Sequence, residues 1–121
     1  VSNTPFSYWF TVDHVHDGDT IMGVLDMGLG HYLGRLGGPT WSLRMYGINA
    51  PELFSTDPAT RILAQQSRDH LQTLIAAGDY VRLDSMGWDK YGMRLDAVVY
   101  NMDGVDLNQA QLDGGYAVPY E

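Results

Sequence analysis

The 121-residue sequence has no cysteine, so disulfides are excluded and redox compartment is left open. No run approaches the ~18 consecutive apolar residues of a membrane span. No charged n-region followed by an apolar h-region opens the chain. There is no internal repeat and no low-complexity tract. Positive charge is scarce: seven Lys and Arg stand against fifteen Asp and Glu, for a net charge of -8 and a pI near 4.6. Lys90 is the single lysine. Taken alone, this balance argues against a polyanionic partner, which needs local positive charge. The placement of so few cations therefore matters more than their number. The rest is ordinary for one globular domain spanning 1–121, with 45% hydrophobic residues to supply a core.

The chain alternates β-type and helical patterns. "FSYWFTVDHVH" is aromatic and β-branched, as strands are. "DGD" gives a tight turn and "TIMGVLDM" a second strand. "GLGHYLGRLGGP" has five glycines but no Gly-Lys-Ser/Thr ending, so it reads as a flexible hairpin extension and not as a phosphate loop. In "TWSLRMYGI", Trp41, Leu43 and Met45 share one face and Ser42, Arg44 and Tyr46 the other. Asp57 as N-cap and Pro58 at the first helical position start a helix. Its apolar face is expected from Ile62, Leu63, Leu71, Leu74 and Ile75, with Gly78 as its stop. "DYVRLDSM" and "RLDAVVY" read as two further strands. Asp106 caps a short helix over "LNQAQLD", Gly114 and Gly115 end it, and "YAVPY" is extended. Five strands with a helix after the third predict an α+β, mainly β fold: a five-stranded OB-type Greek-key barrel with one long and one short helix.

Four stretches carry polar residues that a core does not require. Asp17-Gly18-Asp19-Thr20 is a turn by composition, yet Asp19 heads a strand and can aim its carboxylate over the barrel. Arg44 lies opposite the apolar face of its strand. In "NAPE", Pro51 holds Ala50 extended, which fixes the direction of the Ala50 carbonyl. Asn49 and that carbonyl are hard oxygen donors. In "DKYGMR", Lys90, Tyr91 and Arg94 stand around a glycine between two strands. His14 and His16 share a strand face and could be read with the neighbouring aspartates as a zinc cluster, a reading disfavoured without cysteine. His31 and His70 read as surface residues.

The order and spacing of "VHDGDTI", "LRMYGINAPE", "DKYG" followed by arginine, and "VDLNQAQLDGGYA" resemble the staphylococcal nuclease-like (thermonuclease) family, bacterial or phage type, over almost the whole chain. The resemblance implies an OB barrel and a calcium-dependent phosphodiesterase that cuts DNA and RNA and leaves 3′-phosphate ends. It implies Ca2+ ligands at Asp19, Asn49 and the Ala50 carbonyl. Glu52 is then the carboxylate acting on the attacking water, and Arg44 and Arg94 the guanidiniums that hold the phosphate. Lys90, Tyr91, Tyr116 and Tyr120 are then candidate substrate contacts. The implied partner is single-stranded DNA or RNA, with no membrane partner and a monomeric chain. The alternative is a catalytically weak OB module that binds nucleic acid or protein within a larger assembly.

The sequence departs from the family pattern in several places. Asn49 replaces the usual aspartate and removes one formal charge from the metal site. The glycine-rich insertion is longer than in the reference nuclease. The family's C-terminal helix has no counterpart before Glu121. The family reads Asp-x-Tyr-Gly-Arg, whereas Met93 intervenes here. A gapless alignment puts Met93 in the arginine's place. A one-residue bulge after Gly92 instead brings Arg94 into register, and this is the favoured expectation. A slip without the bulge would turn Arg94 to the opposite face.

Overall fold

The fold is taken from a computed structural model, which describes residues 7–88 and 94–120. Strands β1 (Ser7–Asp17), β2 (Thr20–Gly28), β4 (Trp41–Met45), β6 (Tyr80–Trp88) and β7 (Leu95–Tyr100) form the barrel, and β3 (His31–Leu33) hangs on the outer edge of β2. The order β1-β6-β7-β4-β2 closes on itself because β1 also pairs with β2. Only one barrel pairing is parallel, β4 with β7, and every other is antiparallel. This is a closed OB-type barrel in an α+β fold, as the strand pattern predicts.

Alternation builds the core. Leu43 and Met45 of β4, Leu95, Ala97 and Val99 of β7, and Val81 and Leu83 of β6 point inward and are almost wholly buried. Phe10, Val12 and Ile21 fill the opposite wall. Each such large side chain contributes roughly 1.5–3 kcal/mol by leaving water. In the β1–β2 hairpin the strands approach closely where Gly23 faces Val12, beside a register shift. A Cβ on Gly23 would sit 2.0 Å from the Thr11 carbonyl oxygen, so only glycine fits there.

Helix α1 (Pro58–Leu74) begins as the sequence predicts, with Asp57 accepting from the Ala59 N–H and proline in the first turn. Its inward face is the expected one at Leu71, Leu74 and Ile75, which are buried or packed on the core, and differs in the first half of the helix. Ala64, Ser67 and Leu71 are buried, whereas Ile62 and Leu63 are more than half exposed. The reason is close approach: a Cβ on Gly18 would lie 1.8 Å from Ser67 Oγ, so the helix meets the Asp17–Thr20 turn through its small residues. The helix also stops earlier than expected. Ile75 is the C-cap, and Gly78 serves the following turn, at φ +87, donating its N–H to the Val12 carbonyl.

Helix α2 (Leu107–Asp113) is capped by Asp106, whose carboxylate accepts from the Gln109 N–H. Buried Asn108 fixes it to the barrel. Its Oδ1 accepts from the Val99 N–H, and its Nδ2 donates to the Tyr46 and Ala97 carbonyls. The glycine-rich stretch is in part an ordered hairpin, with Leu25 opposite Leu33 and Asp26 opposite Tyr32. The "YAVPY" segment forms β8 (Val118–Pro119), which pairs antiparallel with β5 (Ile48–Asn49). That two-stranded ribbon lies at the end of β4, where Arg44 stands.

Candidate active site

The site begins at the turn between β1 and β2. The Asp17 carboxylate accepts the Asp19 N–H at 3.1 Å, an Asx turn that sets the direction of the Asp19 side chain. Asp19 is 6% exposed. Its Oδ1 accepts from Thr20 Oγ1 at 3.0 Å, and its Oδ2 accepts the Ala50 N–H at 2.9 Å. The turn is held from below by Gln111, which is wholly buried and donates its amide to the Gly18 carbonyl at 2.7 Å.

Arg44 reaches this corner from β4. Its register opposite Thr20 across the β2–β4 ladder brings it beside Asp19. Nη1 forms an ion pair with Asp19 Oδ2 at 2.5 Å. Nη2 donates to the Ile48 carbonyl at 3.2 Å and to Asn49 Oδ1 at 3.4 Å. The Tyr120 ring lies 5.8 Å from the guanidinium carbon, within cation–π range. Side-chain exposures of 15% for Arg44 and 8% for Asp19 make this a buried pair. Such a pair is costly to break, because the remaining partner is left as an uncompensated charge.

The two aspartates of the turn are driven apart. Burial raises the Asp17 carboxyl, and the neighbouring Asp19 adds to this, bringing it to about 6. Burial also acts to raise Asp19, but hydrogen bonds from Asp17, the Ala50 N–H and Arg44 outweigh it and hold Asp19 below its ordinary range. Asp19 therefore keeps its charge where Asp17 can hold a proton.

All the candidate cation donors here are hard oxygens: Asp19, Asp17, the Asn49 amide and the Ala50 carbonyl. Among the described residues no three His, Cys, Asp or Glu side chains come together. A cation would thus be held by one permanent carboxylate, neutral oxygens and water. That chemistry fits calcium, which takes six to eight oxygens in a flexible shell, though with little protein charge. His14, from the zinc reading, hydrogen-bonds through Nδ1 to Asp13 at 2.6 Å.

Of the residues singled out in the sequence, Asp19, Arg44, Asn49, Ala50 and Tyr120 come together. Glu52 is exposed on the loop two residues past Ala50. Arg94 is half-buried just ahead of β7. It has the parity of Asp96, which pairs with Arg44 across the parallel ladder and lines a small cleft with Arg44 and Tyr120. Lys90, Tyr91 and the expected bulge at 92–93 lie outside the described residues. Within described β6, a register shift falls between Ser85 and Gly87. Tyr116 does not join Arg44. It lines a larger cleft that begins at Asn49 and Ala50, and its ring is stacked on His70 at 4.1 Å. His70 is half-buried rather than a free surface residue, with Nδ1 2.5 Å from Gln111 Oε1.

Three contributors were not singled out from sequence. Asp17 was visible in "DGD", but a turn explains one aspartate and its burial is tertiary. Asp96 enters through the parallel pairing of β4 with β7, which no local pattern reveals. Gln111 lies within a short helix, where a buried amide has no sequence signature.

A search of curated proteins finds no match. The family model described as "Staphylococcal nuclease homologue" matches residues 42–121, which include Arg44, the Asn49–Glu52 loop, β8 and the Tyr120 that follows it. Asp19 lies before that match and is carried to Arg44 by the barrel. With most of the chain matched and the OB barrel in place, this protein belongs to the staphylococcal nuclease homologue family.

Proposed function

We propose that the protein is a calcium-dependent phosphodiesterase that hydrolyses single-stranded DNA or RNA with little sequence preference and leaves 3′-phosphate ends. The observation that carries this reading is the meeting of Asp19, Arg44 and Asn49–Ala50, from three chain segments, at one corner that is buried at Asp19 and Ala50 and open at Asn49. Arg44 is held there before any ligand arrives. Its described contacts use three of its five N–H donors, leaving others for phosphate oxygens. A preset guanidinium stabilises the five-coordinate phosphorus most, where charge builds up.

Arg94 is the second guanidinium; its support is its place just ahead of β7, two residues before the Asp96 that pairs with Arg44. Exposed Glu52 takes the proton of the attacking water as general base. As the water oxygen bonds to phosphorus the P–O5′ bond breaks, the 5′ oxygen leaves as a hydroxyl with a proton from solvent, and the phosphate stays on the 3′ side. Asp19, the Asn49 amide oxygen and the Ala50 carbonyl would hold a calcium ion, which would supply Lewis acidity and a template for the phosphate. With Asn49 in place of a carboxylate, calcium binds more weakly than at a two-carboxylate site. Lys90, Tyr91 and Tyr120 contact the strand beside the scissile phosphate.

The test is digestion of a single-stranded oligonucleotide in millimolar calcium, with and without chelator. Cleavage that stops on chelation and leaves 3′-phosphate ends is the expected result. Oligonucleotide binding without cleavage in excess calcium would overturn the reading in favour of a binding module.

A further inference from the structure

The cleft that starts at Asn49 and Ala50 encloses about 470 Å³, within the range of small-ligand sites. Its walls come from three places: Pro51 after β5, Leu63 and Gln66 on the outer side of α1, and the 114–118 segment that leads into the ribbon. In a chain of net charge -8, none of the described residues lining it is charged. Leu63 and Val118 present apolar surface at 55% and 60% exposure, and Gln66 offers an amide able both to donate and to accept. The smaller cleft on the Tyr120 side differs, since it carries Arg44 and Asp96.

We infer that the uncharged cleft is a nucleobase subsite. It receives the base of the nucleotide that flanks the phosphate at Arg44, on the side away from Tyr120. This rests on the nucleic-acid reading of Arg44. Continuity supports it: the edge of the cleft is Asn49, whose Oδ1 lies 3.4 Å from Arg44 Nη2. A strand with its phosphate at Arg44 passes its next sugar over Asn49, and the attached base enters between Leu63, Pro51 and Val118. A base is flat, neutral and apolar on its faces with polar edges, which matches apolar walls and one amide. A phosphate or an acidic peptide would find no cation among these residues. Tyr116 also lines the cleft, but one face of its ring is already covered by His70.

The subsite is tested with neutral adenosine in chelator, followed by amide NMR, and in parallel by cleavage kinetics of Leu63→Glu and Leu63→Met. Leu63 is exposed on α1, and both replacements are good helix formers, so folding is retained. Adenosine should shift the Gln66, Gly115 and Ala117 amides and leave Gly47 unmoved. Leu63→Glu should abolish those shifts and raise KM for oligonucleotides about fivefold or more with kcat little changed, while Leu63→Met stays near wild type. Undiminished cleavage and KM in Leu63→Glu, with no adenosine shifts in the wild type, would overturn the subsite and leave the nuclease reading standing. Adenosine shifts in a protein that never cleaves would uphold the subsite and count against the nuclease.

Discussion

Asp19 and Glu52 are both acidic and both belong to the candidate site, but the fold treats them in opposite ways. Asp19 is buried, paired with Arg44 and bonded by Thr20 and the Ala50 N–H. Glu52 stands exposed on a loop. The buried corner is set by folding and is part of what holds β1, β2 and β4 together at this end. In the proposed function the exposed loop supplies the general base, with little structural role. Stability and activity should therefore separate along the length of one site.

The largest effect is expected from Arg44→Ala. It leaves Asp19 buried without its partner, at a cost of about 3–5 kcal/mol, and it removes a phosphate-binding guanidinium. Thermal unfolding and cleavage should both fall sharply. An unchanged melting temperature would show that the Asp19 pair does not hold the corner. Glu52→Gln comes next and should divide the two properties. Turnover should drop by roughly 10²–10⁴, the usual range for a general base, while the melting curve overlays that of wild type. Equal losses of turnover and stability would erase the contrast drawn here.

The smallest effect, and the one that sharpens the comparison most, lies within the turn itself. Asp17 is raised from 3.8 to about 6. Its contribution is full below the ordinary value and is lost as pH rises through about 6. Asp19, held below its ordinary value, contributes above 3.8 and loses this only in stronger acid. In chelator, Asp17→Asn should thus gain on wild type in melting temperature between pH 4 and 6 and run parallel above. Profiles that are parallel from pH 4 upward would show that Asp17 titrates as an ordinary surface carboxyl.

The barrel was legible in the sequence because alternation at Leu43 and Met45 and the caps Asp57 and Asp106 are local signals. The corner was legible only through the resemblance of the short stretches that carry Asp19, Arg44 and Asn49 to the family pattern, since each stretch alone reads as a turn, a strand face or a loop. The inner face of α1 was legible only in its second half, at Leu71, Leu74 and Ile75. Ile62 and Leu63 have the periodicity of a core face, but the nearness of Gly18 demands small residues, and that contact spans 49 positions. Gln111 was hidden for the same reason, since its partner Gly18 lies 93 residues away. The family match leaves out Asp19, so the matched region alone has an arginine without its carboxylate.

The ribbon of β5 and β8 has a consequence in time. Ile48 pairs with Pro119, Asn49 pairs with Val118, and the Tyr120 N–H donates to the Gly47 carbonyl. During synthesis, Asp19, Arg44 and Asn49 emerge long before the strand that completes their wall. Residues 118–120 therefore close a wall whose other residues are made earlier, so the candidate site is completed only once the later of the two ribbon strands has been synthesised.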